Sequence, residues 1–125
     1  MIVDTDVLIW FFRGNNNALD ELRGALPFSV SCITWMELMQ GAKNKSEQNA
    51  ILKQLNAWGV EVLQIDEQIS ARASLLIKDF SLKYGITIAD ALIAATALEH
   101  NDTLFTANTK HFGFVPRLAT KKFNP

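Results

Sequence analysis

The chain has 125 residues, 49% hydrophobic and 20% charged, which is typical of one globular domain and excludes a disordered or fibrous protein. Its formal net charge of −1 excludes a protein that holds nucleic acid by overall positive charge alone. The single cysteine, Cys32, excludes an internal disulfide. No apolar run is long enough to cross a bilayer and no leader precedes MIVD, so the sequence predicts a soluble, cytoplasmic protein with no membrane partner.

Strand-like and helix-like stretches alternate from the first residue. MIVD predicts a short buried strand, and TDVLIWFFR predicts a helix that ends near Gly14. ALDELRGAL predicts a second helix, with leucines on one face and charges opposite, which Pro27 ends. FSVSCI is apolar and rich in β-branched residues, so it predicts the next strand.

The same alternation continues to the end of the chain. TWMELMQGA predicts a helix that stops near Gly41, and SEQNAILKQLNAW predicts one with Ser46 as its N-cap. The strand VEVLQI is followed by a long amphipathic helix that Gly85 ends and by IADALIAATALEH, a helix apolar on nearly all sides. DTLFTA predicts a last strand, before a loop or single turn at NTKHFGF. The pattern predicts one α/β domain over residues 1–125 with a mainly parallel sheet.

Three acidic residues lie where a parallel sheet would deliver a ligand, at a strand end or at the start of a helix. Asp4 ends the first strand, Glu37 lies in the first turn after the second, and Asp90 opens the most apolar helix. Ligands of parallel sheets bind outside the carboxyl ends of the strands. We therefore expect these three carboxylates to meet at one site.

Helix capping is the simpler explanation for two of these acids. Thr34-x-x-Glu37 and Thr87-x-x-Asp90 both match the capping box, and acids in a first turn suit the helix dipole. Capping explains Asp4 less well, and it gives no reason for three acids at strand ends.

A metal site accounts for all three acids together. Crowded carboxylates repel each other unless a cation neutralises them, and sites made only of oxygen ligands favour Mg²⁺ or Mn²⁺. Such an ion can activate water and stabilise charge on a phosphate. The sequence therefore predicts Asp4, Glu37 and Asp90 as catalytic and metal-binding residues.

Four segments resemble the PIN-domain family, in particular the VapC-type ribonuclease toxins of toxin–antitoxin pairs: IVDTDVLI, TWMELMQGA, ITIADALIAATAL and LFTANTKHF. The resemblance covers essentially the whole chain. It implies a three-layer α/β/α domain with a small parallel sheet, and Mg²⁺-dependent cleavage of RNA, with Mn²⁺ as a substitute. It also implies an RNA substrate, a VapB-type antitoxin partner and a homodimer.

The resemblance assigns roles to individual positions. Asp4, Glu37 and Asp90 correspond to the family's core acids, Asp6 lines the same site, and Thr106 and Asn108 match a T-x-N segment that supports the acids. One position departs from the family pattern. A fourth acid commonly follows that segment, whereas this chain has His111 in NTKHF, which questions a second metal ion. The imidazole fits a metal or phosphate contact, weak acid–base chemistry, or an idle surface position.

Two other functions remain open at the level of sequence. The opening IVDTDVL fits the D-x-D motif of haloacid-dehalogenase-type phosphatases, with Asp4 as nucleophile, although the later lysine and paired acidic motif of that family are not evident. The chain could also be an RNA- or protein-binding module whose acids only cap helices.

Two basic patches are candidates for contact with nucleic acid. One contains Lys43 and Lys45, and the other lies in the tail, at Arg117, Lys121 and Lys122. Both also fit ordinary solvated surface.

Overall fold

The computed structural model describes all 125 residues as a five-stranded parallel sheet between two layers of helices. The elements in chain order are β1 (Ile2–Val3), α1 (Thr5–Phe12), α2 (Asn16–Ala25), β2 (Ser29–Ser31), α3 (Cys32–Gly41), α4 (Lys45–Ala57), β3 (Glu61–Leu63), α5 (Glu67–Tyr84), α6 (Ile88–Glu99), β4 (Leu104–Thr106), a 3₁₀ turn (Thr109–His111) and β5 (Thr120–Lys122). The predicted three-layer α/β/α architecture is confirmed.

The sheet has the order β3-β2-β1-β4-β5, so the first strand lies at its centre. Ile2 pairs with Leu104 and Val3 with Phe105, and every neighbouring pair of strands is parallel. Successive side chains of a strand point to opposite faces of the sheet. Ile2 and Leu104 therefore pack into one hydrophobic core with α5 and α6, whereas Val3 and Phe105 pack into a second core with α1 to α4.

Two helices begin differently from the prediction. The N-cap of α3 is Ser31 rather than Thr34, because β2 ends early and the Ser31 hydroxyl accepts a hydrogen bond from the Ile33 amide. The N-cap of α4 is Asn44 rather than Ser46, because the Asn44 side chain accepts from the Glu47 amide at 2.9 Å. Short polar side chains at neighbouring positions compete for the same role, and the direction in which the chain enters the helix decides between them.

The sequence also failed to indicate β5. Its three residues, Thr-Lys-Lys, are all exposed and carry no apolar alternation, yet they pair in parallel with β4 at the edge of the sheet. Lysines are a common feature of edge strands because they discourage pairing with another chain. No helix in the molecule has the length and apolarity that crossing a membrane would require.

Candidate active site

The carboxyl edge of the sheet brings four carboxylates to one side of the molecule. Asp4 follows β1 and caps α1, Asp6 lies in the first turn of α1, Glu37 lies on α3, and Asp90 lies in the first turn of α6. Asp4, Asp6 and Asp90 act on one another electrostatically, and Glu37 acts on Asp90. We call Asp4 and Asp6 the inner pair, and Glu37 and Asp90 the outer pair.

Asp4 is the most deeply placed of the four, with 7% of its surface exposed. One carboxylate oxygen accepts a hydrogen bond from the Thr5 amide and the other accepts from the Thr106 hydroxyl, each at 2.8 Å. Burial and the charges of Asp6 and Asp90 outweigh these bonds and raise the pKa of Asp4 to about 7. The folded chain therefore holds this carboxylate in an environment that opposes its negative charge.

The two oxygens of Asp6 have contrasting surroundings. Asp6 Oδ2 accepts hydrogen bonds from the Ala107 amide at 3.1 Å and from Asn108 Nδ2 at 3.0 Å. Asp6 Oδ1 is buried and has no hydrogen-bond partner. Burial raises the pKa of Asp6 as well. A buried acceptor without a donor is costly, so this oxygen requires a proton, a water molecule or a cation.

The T-x-N segment after β4 joins the two members of the inner pair. The Thr106 hydroxyl lies 2.8 Å from Asp4 Oδ2 and 3.3 Å from Asp6 Oδ2, and it accepts a hydrogen bond from the Asn108 amide at 3.0 Å. A hydroxyl has only one proton to donate. The shorter contact, to Asp4, is therefore the stronger bond, and the two carboxylates remain incompletely satisfied by the protein.

Glu37 is held by a residue to which the sequence analysis gave no role. The Thr5 hydroxyl donates to Glu37 Oε1 at 2.7 Å and is hydrogen-bonded to the Thr34 hydroxyl at 3.0 Å. Glu37 does not form a capping box with Thr34, because Ser31 caps α3. Thr5 also donates its amide proton to Asp4, so it connects the inner and outer pairs. The only available signal was a hydroxyl residue between two aspartates, in D-T-D.

The half-buried Asp90 and the exposed His111 form the rim of the site. The capping interaction at α6 uses the amide of Asp90, which donates to the Thr87 hydroxyl at 3.1 Å. Asp90 Oδ2 lies 3.6 Å from Nδ1 of His111, whose side chain is 62% exposed. Burial raises the pKa of Asp90, although His111 opposes the shift. His111 thus lies beside the acids, where the family commonly has another acid.

The residues present fit a hard divalent cation that keeps part of its water shell. No three His, Cys, Asp or Glu side chains converge closely enough to form a closed metal cage. Mg²⁺ commonly binds through one or two carboxylates plus waters and substrate phosphates, so a closed cage is not required. The unpartnered Asp6 Oδ1 and the raised pKa values of Asp4, Asp6 and Asp90 indicate a site short of positive charge.

The geometry gives no support to the phosphatase alternative. That chemistry needs a lysine near the nucleophilic aspartate, whereas the side-chain partners of Asp4 and Asp6 are threonine and asparagine. None of the salt bridges in the molecule joins a lysine to either aspartate.

Comparison with known proteins gives one consistent result. Residues 1–116 match the model of the PIN domain. The chain is 38% identical over 116 residues to Ribonuclease VapC1 of Methanocaldococcus jannaschii, a match that covers 90% of this chain and 78% of that protein. It is 31% identical over 122 residues to Ribonuclease VapC10 of Mycobacterium tuberculosis, covering 94% and 90% of the two chains.

Solved structures show the same fold. A toxin–antitoxin complex from Klebsiella pneumoniae contains a chain that superposes with a TM-score of 0.79 at 33% identity, over 98% of both chains. VapBC2 of Rickettsia felis, bound to a promoter DNA fragment, superposes with a TM-score of 0.85 at 22% identity and likewise covers 98% of both chains. With the fold, the acidic edge and these matches in agreement, the chain belongs to the PIN-domain family and, within it, to the VapC ribonucleases.

Proposed function

We propose that this protein is a Mg²⁺-dependent endoribonuclease that cleaves RNA phosphodiester bonds and acts as the toxin of a toxin–antitoxin pair. The observation that carries the proposal is the inner pair: the buried Asp4 and the half-buried Asp6 lie beside two further acids, and one buried oxygen of Asp6 has no hydrogen-bond partner. A cluster of carboxylates without a cation does not stabilise the protein, because the ionised acids oppose folding.

Asp4, Glu37 and Asp90 would share the ion with water molecules of its own shell, without all three closing on it directly, and Asp6 would lie beside them. When bound, Mg²⁺ supplies an activated water and stabilises charge on the phosphate. The protein's own contribution is orientation: Thr106 and Thr5 hold Asp4, Thr5 holds Glu37, and Asn108 holds Asp6. The burial of Asp4, with 7% of its surface exposed, limits the contact of this carboxylate with bulk water.

His111 lies at the opening through which RNA would approach. Its imidazole is mostly exposed and 3.6 Å from Asp90, which suits contact with a substrate phosphate when it is protonated. We assign it a supporting role rather than the role of a metal ligand. Because His111 occupies the position where the family commonly has a fourth acid, we propose that the site binds one metal ion tightly.

We also propose two protein partners, a VapB-type antitoxin and a second copy of the chain. The Klebsiella relative was solved as a toxin–antitoxin complex, which supports the first. Exposed apolar side chains near the site, including Trp10 at 36% and Met36 at 48% exposure, provide surface suited to such contacts. Mn²⁺ is expected to substitute for Mg²⁺, because the ligands are all oxygen atoms.

The test is an RNA cleavage assay of the antitoxin-free protein against total cellular RNA, with Mg²⁺, with Mn²⁺ and with chelator. We expect cleavage that requires the metal and disappears in Asp90→Asn. The exposed Asp79 of α5, which lies outside the site, provides a matched control as Asp79→Asn. If folded, metal-supplied protein binds RNA but leaves it intact, the chain is a binding module and the nuclease proposal is wrong.

A further inference from the structure

A cavity of about 630 Å³ adjoins the outer pair, between α1, α3 and α4. Glu37 belongs to both places: it lines the cavity, and it is bonded through Thr5 to the acidic site. The cavity is thus a continuation of the active site. Its volume lies within the range of small-molecule binding pockets, which is enough for one nucleotide.

Four charged residues line this cavity: the cations Arg13 and Lys43, and the acids Glu37 and Glu47. Arg13 immediately follows α1, and Lys43 lies in the connection between α3 and α4. Neither forms a salt bridge, whereas Arg72 pairs with Glu99 and Lys121 with Glu21. The tail patch is therefore partly neutralised by the protein itself, and Arg13 and Lys43 remain free to meet an external anion.

An RNA substrate needs such cations, because the rest of the site repels it. The chain carries a net charge of −1, and the catalytic edge itself is acidic. Affinity for nucleic acid comes largely from neutralising phosphates with lysine and arginine. Single strands also bind through apolar and aromatic surface against which bases can pack. The cavity wall offers this surface in Ile9, Phe12 and Ile51.

We propose that this cavity binds the stretch of RNA next to the scissile phosphate, with Arg13 and Lys43 contacting its backbone phosphates. The inference rests on the proposed ribonuclease function and identifies the substrate-binding residues of that same site. Glu37 then marks the boundary between the cavity and the acids that act on the bond.

The test compares Arg13→Gln/Lys43→Gln with a control, Arg23→Gln/Lys53→Gln, which removes two exposed, unpaired cations outside the cavity. Binding of labelled, random-sequence single-stranded RNA is measured over a range of salt concentrations, with every protein in the uncleaving Asp90→Asn background. Each lost phosphate contact should reduce the slope of log affinity against log salt by about 0.7, and should weaken binding about fivefold near 0.1 M salt. We therefore expect the cavity variant to bind about 25-fold more weakly and the control to match its parent.

Cleavage by the same substitutions in the otherwise native chain provides a second measurement. We expect KM to rise with little change in kcat, because the lost contacts hold the substrate rather than act on the bond. If wild-type protein cuts RNA but the cavity variant keeps its salt slope and KM, this inference is wrong while the proposed function stands. This inference is also wrong, and the proposed function still stands, if the cavity variant loses only its affinity for an antitoxin. The cavity would then be a protein-docking surface. If wild-type protein neither binds nor cuts RNA, the proposed function itself fails.

Discussion

The inner and outer pairs of carboxylates lie side by side but are held in different ways. Asp4 and Asp6 are bonded to Thr5, Thr106, Ala107 and Asn108, and their surroundings are formed by the central strands β1 and β4. Glu37 has a single hydrogen bond, from Thr5, and Asp90 has the His111 imidazole and the Thr87 hydroxyl beside it. The inner pair is thus held by more hydrogen bonds than the outer pair, and Asp4 is the most deeply buried of the four acids.

This difference suggests a division of work within the site. The inner pair, which has more hydrogen bonds, can place a cation in one position. The outer pair, which has fewer, can complete the coordination while leaving room for water and a phosphate group. We therefore expect RNA cleavage to depend on both pairs. We expect the free energy of unfolding to depend mainly on the inner pair.

The largest expected effect is the loss of cleavage when either pair loses a charge. Asp4→Asn and Asp90→Asn should each reduce RNA cleavage by more than about 100-fold, because each would remove a metal ligand while preserving shape. Initial rates with saturating Mg²⁺ test this prediction. Near-normal activity in Asp90→Asn would mean that the outer pair is dispensable and that the proposed division is wrong.

The next prediction concerns the support beneath the inner pair. Thr106→Val removes the hydroxyl that donates to Asp4 and accepts from the Asn108 amide, so it should cost about 1–3 kcal/mol in free energy of unfolding. Activity should fall about 10–100-fold, as is typical when a residue that orients metal ligands is lost. Urea unfolding and cleavage rates provide the two measurements.

Thr96→Val is the matched control for that substitution. Thr96 is also fully buried, but its hydroxyl donates only to the Leu92 carbonyl within α6. This variant should retain its activity. An equal loss of activity in both variants would show that packing, rather than support of the acids, explains the effect.

The pH dependence of stability should report on Asp4, the most deeply buried of the four acids. Because the pKa of Asp4 is raised from 3.8 to about 7, the folded state binds more protons than the unfolded state between these values. The free energy of unfolding of the metal-free protein should therefore fall as pH rises across this window. Asp4→Asn should weaken the fall and be more stable than wild type at pH 8, by on the order of 2 kcal/mol.

Urea unfolding in chelator at several pH values tests this prediction, and added Mg²⁺ should restore wild-type stability at high pH. Asp79→Asn, which changes an exposed residue, should follow the wild-type curve. A free energy of unfolding of the wild-type protein that rises from pH 4 to 7 would contradict the claim that folding raises the pKa of Asp4.

The smallest effect is expected at the rim. His111→Gln should change the cleavage rate by less than about tenfold, because exposed charge pairs are worth about 1 kcal/mol or less. The imidazole is 62% exposed and 3.6 Å from Asp90, which fits this weak class. A loss of cleavage rate as large as that of Asp90→Asn would show that His111 takes part in catalysis and does not only support the site.

Sequence patterns alone were sufficient to predict the alternation of strands and helices, the buried first strand, and Asp4 at its carboxyl end. These features depend on local periodicity and on the order of residues along the chain, so they can be read without a fold. The position of Asp4 directly after β1 is the clearest example, because a strand that ends in a carboxylate places it at the ligand-binding edge.

The tertiary structure alone decided the contacts that connect distant segments. The Thr106–Asp4 bond joins residues 102 positions apart, and the Thr5–Glu37 bond joins residues 32 positions apart. The edge strand β5, which lacks any apolar pattern, also became visible only in the tertiary structure. The same is true of the cavity that both Arg13 and Lys43 line. No local pattern specifies such pairs, because their energy arises only after the sheet and helices have packed and closed the intervening loops.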